Sequence, residues 1–321
     1  MQEMVSTPER KYSKAEDMPL DSEWRWEDEV VGERLGPVEF RIKPSTHQKH
    51  CDILDIHLPF FETNSYLFPW ELQCMPRVVS QYKGRINNQL EASHELEFFK
   101  AVKVGEPLTG YTENLDKWEA RGKKWGRRKG DTYDSNGDLV FTYTSNYVIL
   151  TGHEGKVPSQ EITKTRKEDG NWHENGQLVQ ASKDMANGLV LLTITRGPCP
   201  MRISGYSEGG WAADTWKHNM HVDEWAQGLG FRGGIVEAPV ASEYAQLQQL
   251  CNFFGAEKFM STGTYKVKSC GPVYLGDILI GKAKVKEKLN ENGKTRLVLD
   301  VRVERIDGDL LRVGTASAII D

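Results

Sequence analysis

Two short segments carry the residue types that acid–base catalysis uses. They are His50-Cys51-Asp52 and His221-Val222-Asp223, and each residue number in the second exceeds its counterpart in the first by 171. An imidazole can take a proton from water near neutral pH, and a carboxyl group can return one. Further polar and aromatic side chains precede the second segment, at Asp214, Trp216 and Asn219. We therefore expect the more complete candidate site in the C-terminal half of the chain.

Two patterns formally match cofactor sites. The spacings His218-x-x-His221-x-Asp223 and His47-x-x-His50-x-Asp52 would suit zinc or iron, but the sequence assigns no third histidine to either set. The run Gly228-x-Gly230-x-x-Gly233 matches a dinucleotide fingerprint, yet no strand precedes it and no βαβ unit surrounds it. The glycine run is predicted to be a turn, and we predict neither a metal nor a cofactor.

The same numerical offset also relates turns elsewhere in the chain. It pairs Gly105 with Gly276 and Gly137 with Gly308. A repeated backbone would keep glycines at its turns, because glycine adopts positive φ without steric cost. Since these anchors keep one spacing without gaps, the sequence predicts an internal repeat.

The second copy shows the elements of this repeat more clearly. Val240–Phe254 has apolar residues at helical spacing and stops at Gly255. Leu279–Lys286 and Leu297–Glu304 alternate apolar and polar residues, which predicts strands with one packed face and one wet face. Asp307-Gly308 is a hairpin signal before a last strand. Each copy is therefore predicted to be a helix covering an antiparallel sheet.

The first copy and the linkers complete the predicted organisation. Pro69 and Pro76 should shorten or kink the first helix. The polar stretch from Thr151 to Gly188 is predicted to be a connector that contains the domain boundary. We predict an N-terminal arm at 1–24, a first unit at 25–170 and a second unit at 171–321.

Composition excludes several classes of partner. The net charge of −5 gives the protein as a whole no attraction to nucleic acid or to a membrane surface. No apolar run approaches the roughly 20 residues of a membrane helix, and Met1–Ala15 lacks the features of a secretory signal. The five cysteines are scattered without a C-x-x-C pair, which predicts a reducing, cytoplasmic location. The basic run Arg121–Lys129 is expected to be either a solvated hairpin or a grip for phosphates.

Several segments together resemble the MaoC-like hydratase and dehydratase family. They are Asn219–Asp223, Ile235–Ala238, Pro272–Leu279 and, in the first half, Phe99–Glu106. The resemblance implies an α+β fold, a tandem double hot-dog in which each unit is a long helix wrapped by an antiparallel sheet. It also implies a hydro-lyase acting on an enoyl or 3-hydroxyacyl thioester of coenzyme A or acyl carrier protein, with a homodimer as the expected assembly.

The resemblance assigns roles to individual residues. His221 would handle the water, with Asp214 and Asn219 as catalytic partners. The substrate site would include Trp216, Gly234, Glu237 and Ala238, and the amide of Ala238 would stabilise an enolate-like oxygen at the start of the central helix. Trp216 stands where the family usually has its catalytic Asp, and Glu237 stands where the family usually has His.

These departures leave alternatives open. The chain could be a thioesterase in which Glu237 directs water to the carbonyl, or a non-catalytic acyl-thioester binder or partner subunit. Asp223 is expected to be a helix cap. His50 and Asp52 are expected to be a remnant of duplication, with a second site as the alternative.

Overall fold

The computed structural model describes residues 9, 23–63, 65–86, 89–150, 172, 176–197, 199, 223–236 and 246–321. Its helices are α1 (Pro44–Ile53), α2 (Pro59–Glu62), α3 (Pro69–Leu72), α4 (Met75–Tyr82), α5 (Asp223–Gly228), α6 (Gln248–Phe254) and α7 (Ala256–Thr262). A 3-10 turn spans Trp26–Asp28. Its strands are β1 (Glu23–Trp24), β2 (Arg34–Phe40), β3 (Arg85–Ile86), β4 (Gln89–Phe98), β5 (Leu108–Ala120), β6 (Lys123–Tyr133), β7 (Leu139–Ile149), β8 (Ile194–Arg196), β9 (Thr264–Ser269), β10 (Leu279–Glu291), β11 (Lys294–Arg305) and β12 (Leu310–Ile319). No helix in the described part of the chain is long and apolar enough to span a membrane.

One large antiparallel sheet joins the two halves of the molecule. Its described strands run in the order β2-β5-β6-β7-β4-β9-β12-β11-β10-β8. The halves meet where β4 pairs with β9, from Ser93 opposite Lys268 to Glu97 opposite Thr264. We call this junction the seam, and we call the face of the sheet that packs on the helices its inner face.

The hairpin strands of the two halves match at the predicted offset. The first residues of β5, β6 and β7 differ in number by 171 from those of β10, β11 and β12, respectively. The pairing register matches too, since Arg128 lies opposite Ser145 and Leu299 lies opposite Ala316. The two halves therefore share the order, starting points and register of these strands.

The sequence predicted that the offset of 171 holds without gaps. This prediction is wrong between the outermost strand of each half, β2 or β8, and the central helix region of that half. The hydrogen bond from Gly105 N–H to the Ile42 carbonyl, 3.0 Å, has its counterpart in the 3.2 Å bond from Gly276 N–H to the Cys199 carbonyl. These bonds place Ile42 and Cys199 at equivalent positions, although their numbers differ by 157.

A second pair of backbone bonds shows where the difference arises. Val104 N–H donates to the Ser65 carbonyl, and Leu275 N–H donates to the Gly234 carbonyl. This makes Ser65 and Gly234 equivalent, and their numbers differ by 169. The offset grows from 157 at Ile42 to 169 at Ser65, so the segment from Cys199 to Gly234 is longer than the equivalent segment from Ile42 to Ser65. The constant spacing that paired His50 with His221 does not hold in this part of the chain.

The helices follow the proline and glycine signals. Pro69 begins α3, and Pro76 lies in the first turn of α4, where a missing N–H breaks no helical hydrogen bond. The first helix is interrupted between them, as predicted. In the second half α6 stops at Phe254, before Gly255 with φ of 85°. Residues 240–245 of the predicted helix lie outside the described residues.

Glycines of β5 and β6 allow the start of α4 to approach the sheet closely. A Cβ placed on Gly110 of β5 would lie only 2.3 Å from Cys74 Cβ, just before α4. A Cβ placed on the neighbouring Gly130 of β6 would lie 3.3 Å from Met75 Cβ, which is a tight contact. The start of α4 therefore packs closer to β5 than a side chain at Gly110 would permit.

The prediction of a wet outer face is wrong for part of the second half. Lys282, Arg302 and Glu304 lie on the polar side of their strands, yet all three are buried. Glu304 pairs with Lys282 at 2.5 Å and with Arg302 at 2.6 Å. The indole of Trp172 covers Arg302, whose guanidinium lies 5.2 Å from the ring centroid, and Lys284, whose Nζ lies 4.6 Å from it. A cation–π contact from the connector thus buries charges that alternation alone assigns to solvent.

Candidate functional site

One residue of the predicted site is described by the structure, and six are not. Gly234 is placed. The predicted catalytic residues His221, Asp214 and Asn219 and the predicted substrate-binding residues Trp216, Glu237 and Ala238 lie outside the described residues. Their roles remain predictions.

Gly234 lies in a segment held against the turn before β10. Its carbonyl accepts a 3.1 Å hydrogen bond from Leu275 N–H, and Val236 N–H donates to the Val273 carbonyl at 2.8 Å. The N–H of Gly234 donates to Asp223 Oδ1 at 2.6 Å. Backbone pairing therefore fixes the chain up to Val236, the residue that precedes Glu237.

Asp223, the predicted helix cap, makes a contact outside its own helix, and the cap stays a prediction because the residue before it lies outside the described residues. It is the first described residue of α5, but its carboxylate accepts the N–H of Gly234, eleven residues further along the chain. Asp223 thus ties α5 to the segment that contains Gly234. The run from Gly228 to Gly233 forms the end of α5 and the turn after it, as predicted, with Gly230 at φ of 91°.

A cavity of about 360 Å³ opens beside this segment. Its lining consists of Asp223, Arg232, Gly233, Gly234, Tyr274, Leu275, Gly276 and Asp277. It combines accessible backbone at Gly233 and Gly276 with an aromatic ring and charged groups, which suits a ligand that has both polar and apolar parts.

Asp277 organises the wall of this cavity. Its carboxylate accepts from Arg232, from Arg305 Nε at 3.0 Å and from Tyr274 N–H at 2.9 Å. The guanidinium of Arg232 also stacks over the Tyr274 ring, 4.2 Å from its centroid. Since Asp277 and Arg305 are buried, this network holds the turn rigidly.

The first half contains a buried histidine pair that the sequence did not predict to share an acid. Glu71 of α3 bonds His47 Nδ1 at 2.7 Å and His50 Nδ1 at 2.8 Å, and both histidines lie on α1. The other ring nitrogen of His47 lies 3.0 Å from the Phe61 carbonyl. Glu71 also accepts the Phe68 N–H at the start of α3. The cluster therefore fastens α1 to the beginning of the central helix region.

The cluster is an ion pair at neutral pH. Burial lowers the pKa of His47, but hydrogen bonds with Cys51 and Glu71 outweigh this effect and raise the pKa to about 10. Burial raises the pKa of Glu71, and the hydrogen bonds and charges of His47 and His50 more than reverse this effect, so the pKa lies below its usual value. A charged His47 that donates from both nitrogens cannot serve as a base.

His50 and Asp52 do not form a second acid–base pair in this structure. The His50 ring is buried against Glu71, whereas Asp52 is exposed and accepts a 2.9 Å hydrogen bond from Gln48. In the described part of the chain, no group of three or more His, Cys, Asp or Glu side chains is arranged to hold a metal ion. Nothing in the sequence near His47 and His50 identified Glu71, because it belongs to a later helix.

The basic run is partly neutralised. Arg121 and Gly122 form the tip of the β5–β6 hairpin, where the cations are exposed. Further along the run Arg128 is fully buried and pairs with Glu29. Lys124, near the tip, pairs with Glu27, so the segment before β2 supplies the acids.

Comparison with known proteins identifies the fold. A MaoC-like dehydratase structure aligns with a TM-score of 0.66 at 13% identity over 92% of this chain and 100% of that one. A putative MaoC domain protein dehydratase from Chloroflexus aurantiacus aligns with a TM-score of 0.61 at 13% identity over 94% and 98%. A Mycobacterium tuberculosis protein described as having a double hotdog fold aligns with a TM-score of 0.55 at 12% identity over 94% and 100%.

Sequence comparison adds nothing further, since no protein-family model and no curated protein matches the chain. The structure is a double hot-dog of the α+β class, the fold found in MaoC-like dehydratases, as the sequence predicted.

Proposed function

We propose that the chain is a hydro-lyase that adds water to an enoyl thioester or removes it from a 3-hydroxyacyl thioester. The observation that carries the proposal is the alignment of more than nine-tenths of the chain with MaoC-like dehydratase structures. At 12–14% identity these structures support the fold directly and the reaction only by analogy.

The cavity beside Gly234 supports the same proposal. It lies at the segment that leads into Glu237 and Ala238, the predicted start of the central helix. A helix start presents unpaired N–H groups and a positive dipole end, which stabilise the negative oxygen of an enolate. In this proposal the thioester carbonyl binds at Ala238, and Gly233, which has no side chain, leaves room for the substrate beside the backbone.

The proton transfers fall to the predicted acid–base residues. In the hydration direction His221 removes a proton from water, whose oxygen bonds to C3 while the double-bond electrons move to C2 and the thioester oxygen. A proton then returns to C2, with Asp214 as the second acid–base group and Asn219 as a hydrogen-bonding partner. Trp216 would line the acyl side of the site.

An assay of crotonyl-CoA hydration, monitored by the loss of enoyl absorbance, tests the proposal. We expect His221→Ala to lower kcat by about 10²- to 10⁴-fold, the usual contribution of a general base. His57→Ala is the matched control, because His57 is an exposed histidine of the first half that pairs with Asp55. Undiminished hydration by the His221 variant would refute its role.

The same assay separates the rival functions. A thiol reagent detects free coenzyme A, so thiol release without hydration would establish a thioesterase, and loss of that release in Glu237→Gln would assign it to Glu237. Tight binding of the thioester without either product would establish a binding or partner subunit. The presence of Trp216 in place of the family's usual Asp favours this last alternative over the thioesterase.

The finer parts of the assignment are proposals of the same kind. We propose units at 25–170 and 171–321, a coenzyme A or acyl-carrier-protein thioester as substrate, and a cytoplasmic homodimer. The five cysteines are free, which supports a reducing compartment. Light scattering after size-exclusion chromatography would measure the mass of the assembly.

A further inference from the structure

The seam holds a group of polar side chains on the inner face of the sheet. His94 of β4 alternates with the core residues Leu96 and Phe98, so its ring points inward. Across the seam, Arg312 of β12 lies opposite Ser269 of β9 and alternates with small residues on the same inner face. Three strands from both halves therefore contribute polar groups to one buried region.

Among the described residues, Arg312 is a buried cation without an ion-pair partner. Its side chain is 3% exposed, and its hydrogen bonds there reach only backbone oxygens, those of Gly271 at 2.9 Å and Leu311 at 2.8 Å. In the described part of the chain no carboxylate lies within 4.0 Å of its guanidinium, and its Nε has no acceptor. Burial lowers the pKa of Arg312, and the nearby Tyr265 and Glu91 offset this effect only in part.

His94 has unused hydrogen-bonding capacity in the same region. Its ring is 2% exposed and lies between the rings of Tyr143 and Tyr265, at centroid distances of 6.0 and 5.9 Å. Its Nδ1 faces Glu91 Oε2 in an ion pair at 3.5 Å, which is too long for a good hydrogen bond, and its Nε2 has no partner within the described residues. Buried polar atoms in native proteins are nearly always paired, so the unpaired Nε2 calls for an explanation.

Other groups of the region add one more donor and one acid. Ser269 Oγ is buried and has no partner in the described structure. Glu91 accepts from the Tyr143 hydroxyl; burial raises its pKa, and the His94 charge with hydrogen bonds outweighs this and lowers the pKa. Glu91 interacts electrostatically with Arg312, as do the tyrosines 143 and 265.

The fold itself does not require these residues. At the offset that relates the hairpin strands, Arg312 corresponds to Phe141, which is buried in the core of the first half. At the same offset His94 corresponds to Tyr265, whose hydroxyl is satisfied by Gln246 at 2.9 Å. An apolar or fully paired side chain thus occupies each position in the other half, so the unpaired donors are specific to this place.

We propose that the seam cluster of His94, Arg312 and Ser269 is a binding site for a small carboxylate. A carboxylate supplies a negative charge and planar acceptors that match a guanidinium, and its second oxygen can accept from the imidazole. The nearby charge of Glu91 disfavours an anion with more than one negative charge, such as phosphate. The carboxylate is either a free small acid or the far end of an acyl chain; the second case rests on the proposed function.

Titration of the wild-type protein with acetate tests the site without any turnover. The His94 imidazole resonances, assigned by their loss in His94→Phe, should shift saturably with sodium acetate and remain unchanged with sodium chloride at equal ionic strength. Arg312→Met should weaken acetate binding by about 10- to 100-fold, the loss of one charge-assisted hydrogen bond. Lys266→Met is the matched control, because Lys266 lies on the seam strand β9, is 66% exposed and pairs with Glu95.

The outcomes separate the possible sources. A shift with succinyl-CoA but with neither acetate nor butyryl-CoA would support a site for the carboxylate end of an acyl chain. Absence of a saturable shift with both acetate and succinyl-CoA would overturn the proposal, and so would unchanged acetate binding in Arg312→Met. Because the wild-type titration stands alone, a variant that fails to fold leaves the test intact, and acetate binding is independent of whether the chain hydrates thioesters.

Discussion

Replacement of Glu71 by glutamine should destabilise the protein strongly and change how its stability depends on pH. The substitution keeps the size of the side chain and removes the charge that His47 and His50 share. It leaves buried histidines with a neutral partner, and breaking a buried pair of this kind costs about 3–5 kcal/mol.

The pKa of His47 gives the expected pH dependence. Burial lowers this pKa, but hydrogen bonds with Cys51 and Glu71 raise it from 6.5 to about 10, so Glu71→Gln removes only part of the shift. The folded state binds the proton more tightly than the unfolded state, so this stabilisation is complete below pH 6.5 and is lost as the pH rises through about 10. The lowered pKa of Glu71 acts in the opposite direction: its contribution is present above the unfolded value and is lost as the pH falls. Both shifts describe one pair, so the energies are not added.

Urea unfolding followed by tryptophan fluorescence at pH 6, 8 and 10 measures the effect. We expect Glu71→Gln to lose about 3–5 kcal/mol at pH 6 and to show a much flatter decline between pH 6 and 10 than the wild type. Glu62→Gln is the matched control, since Glu62 pairs with the exposed His57 at 3.3 Å and should change stability by less than about 1 kcal/mol. A loss below about 1 kcal/mol in Glu71→Gln, or an unchanged slope with pH, would show that the cluster is not the ion pair described above.

Two further substitutions test the packing and the cavity wall. Gly110→Ala should lower the free energy of unfolding by about 1–3 kcal/mol, because the new methyl group would overlap Cys74. Gly271→Ala is the control and should change this free energy little, because its Cβ would meet its nearest atom at 3.6 Å. Equal melting curves for the two variants would contradict the close approach of α4 to the sheet. Asp277→Asn should cost about 1.5–3 kcal/mol in a urea titration, since it removes one charged partner of the buried Arg305, which keeps its ion pair with Asp309. A cost under about 1 kcal/mol would mean that the network does not hold the turn.

The candidate site was predictable from the sequence only in part. Two features agree with the expected order of segments. They are the turn between Gly228 and Gly233 and the position of Gly234 beside the segment that follows Pro272. The constant offset that paired His50 with His221 does not hold between Ile42 and Ser65, because the corresponding segment of the second half is longer, and His221 itself lies outside the described residues. Loop length leaves no periodic trace in a sequence, whereas strands and helices do.

Local signals determined the elements of the fold. Alternation of apolar and polar residues along the hairpin strands gave their positions. Pro69, Pro76 and Gly255 gave the limits of the helices, because proline has a fixed φ and no N–H, whereas glycine can adopt positive φ. The repeated spacing of the turns then indicated two units with one architecture.

The tertiary structure alone decided which charged side chains are buried and with what partners. Trp172 covers Arg302 although the two residues are remote in the sequence, and Arg312 meets the polar groups of β4 only because the two halves share one sheet. Burial and pairing depend on contacts between such distant segments, and no local pattern records them. The sequence by itself therefore determined the elements of the double hot-dog, and the packing of its two halves decided which of their polar residues are positioned for chemistry.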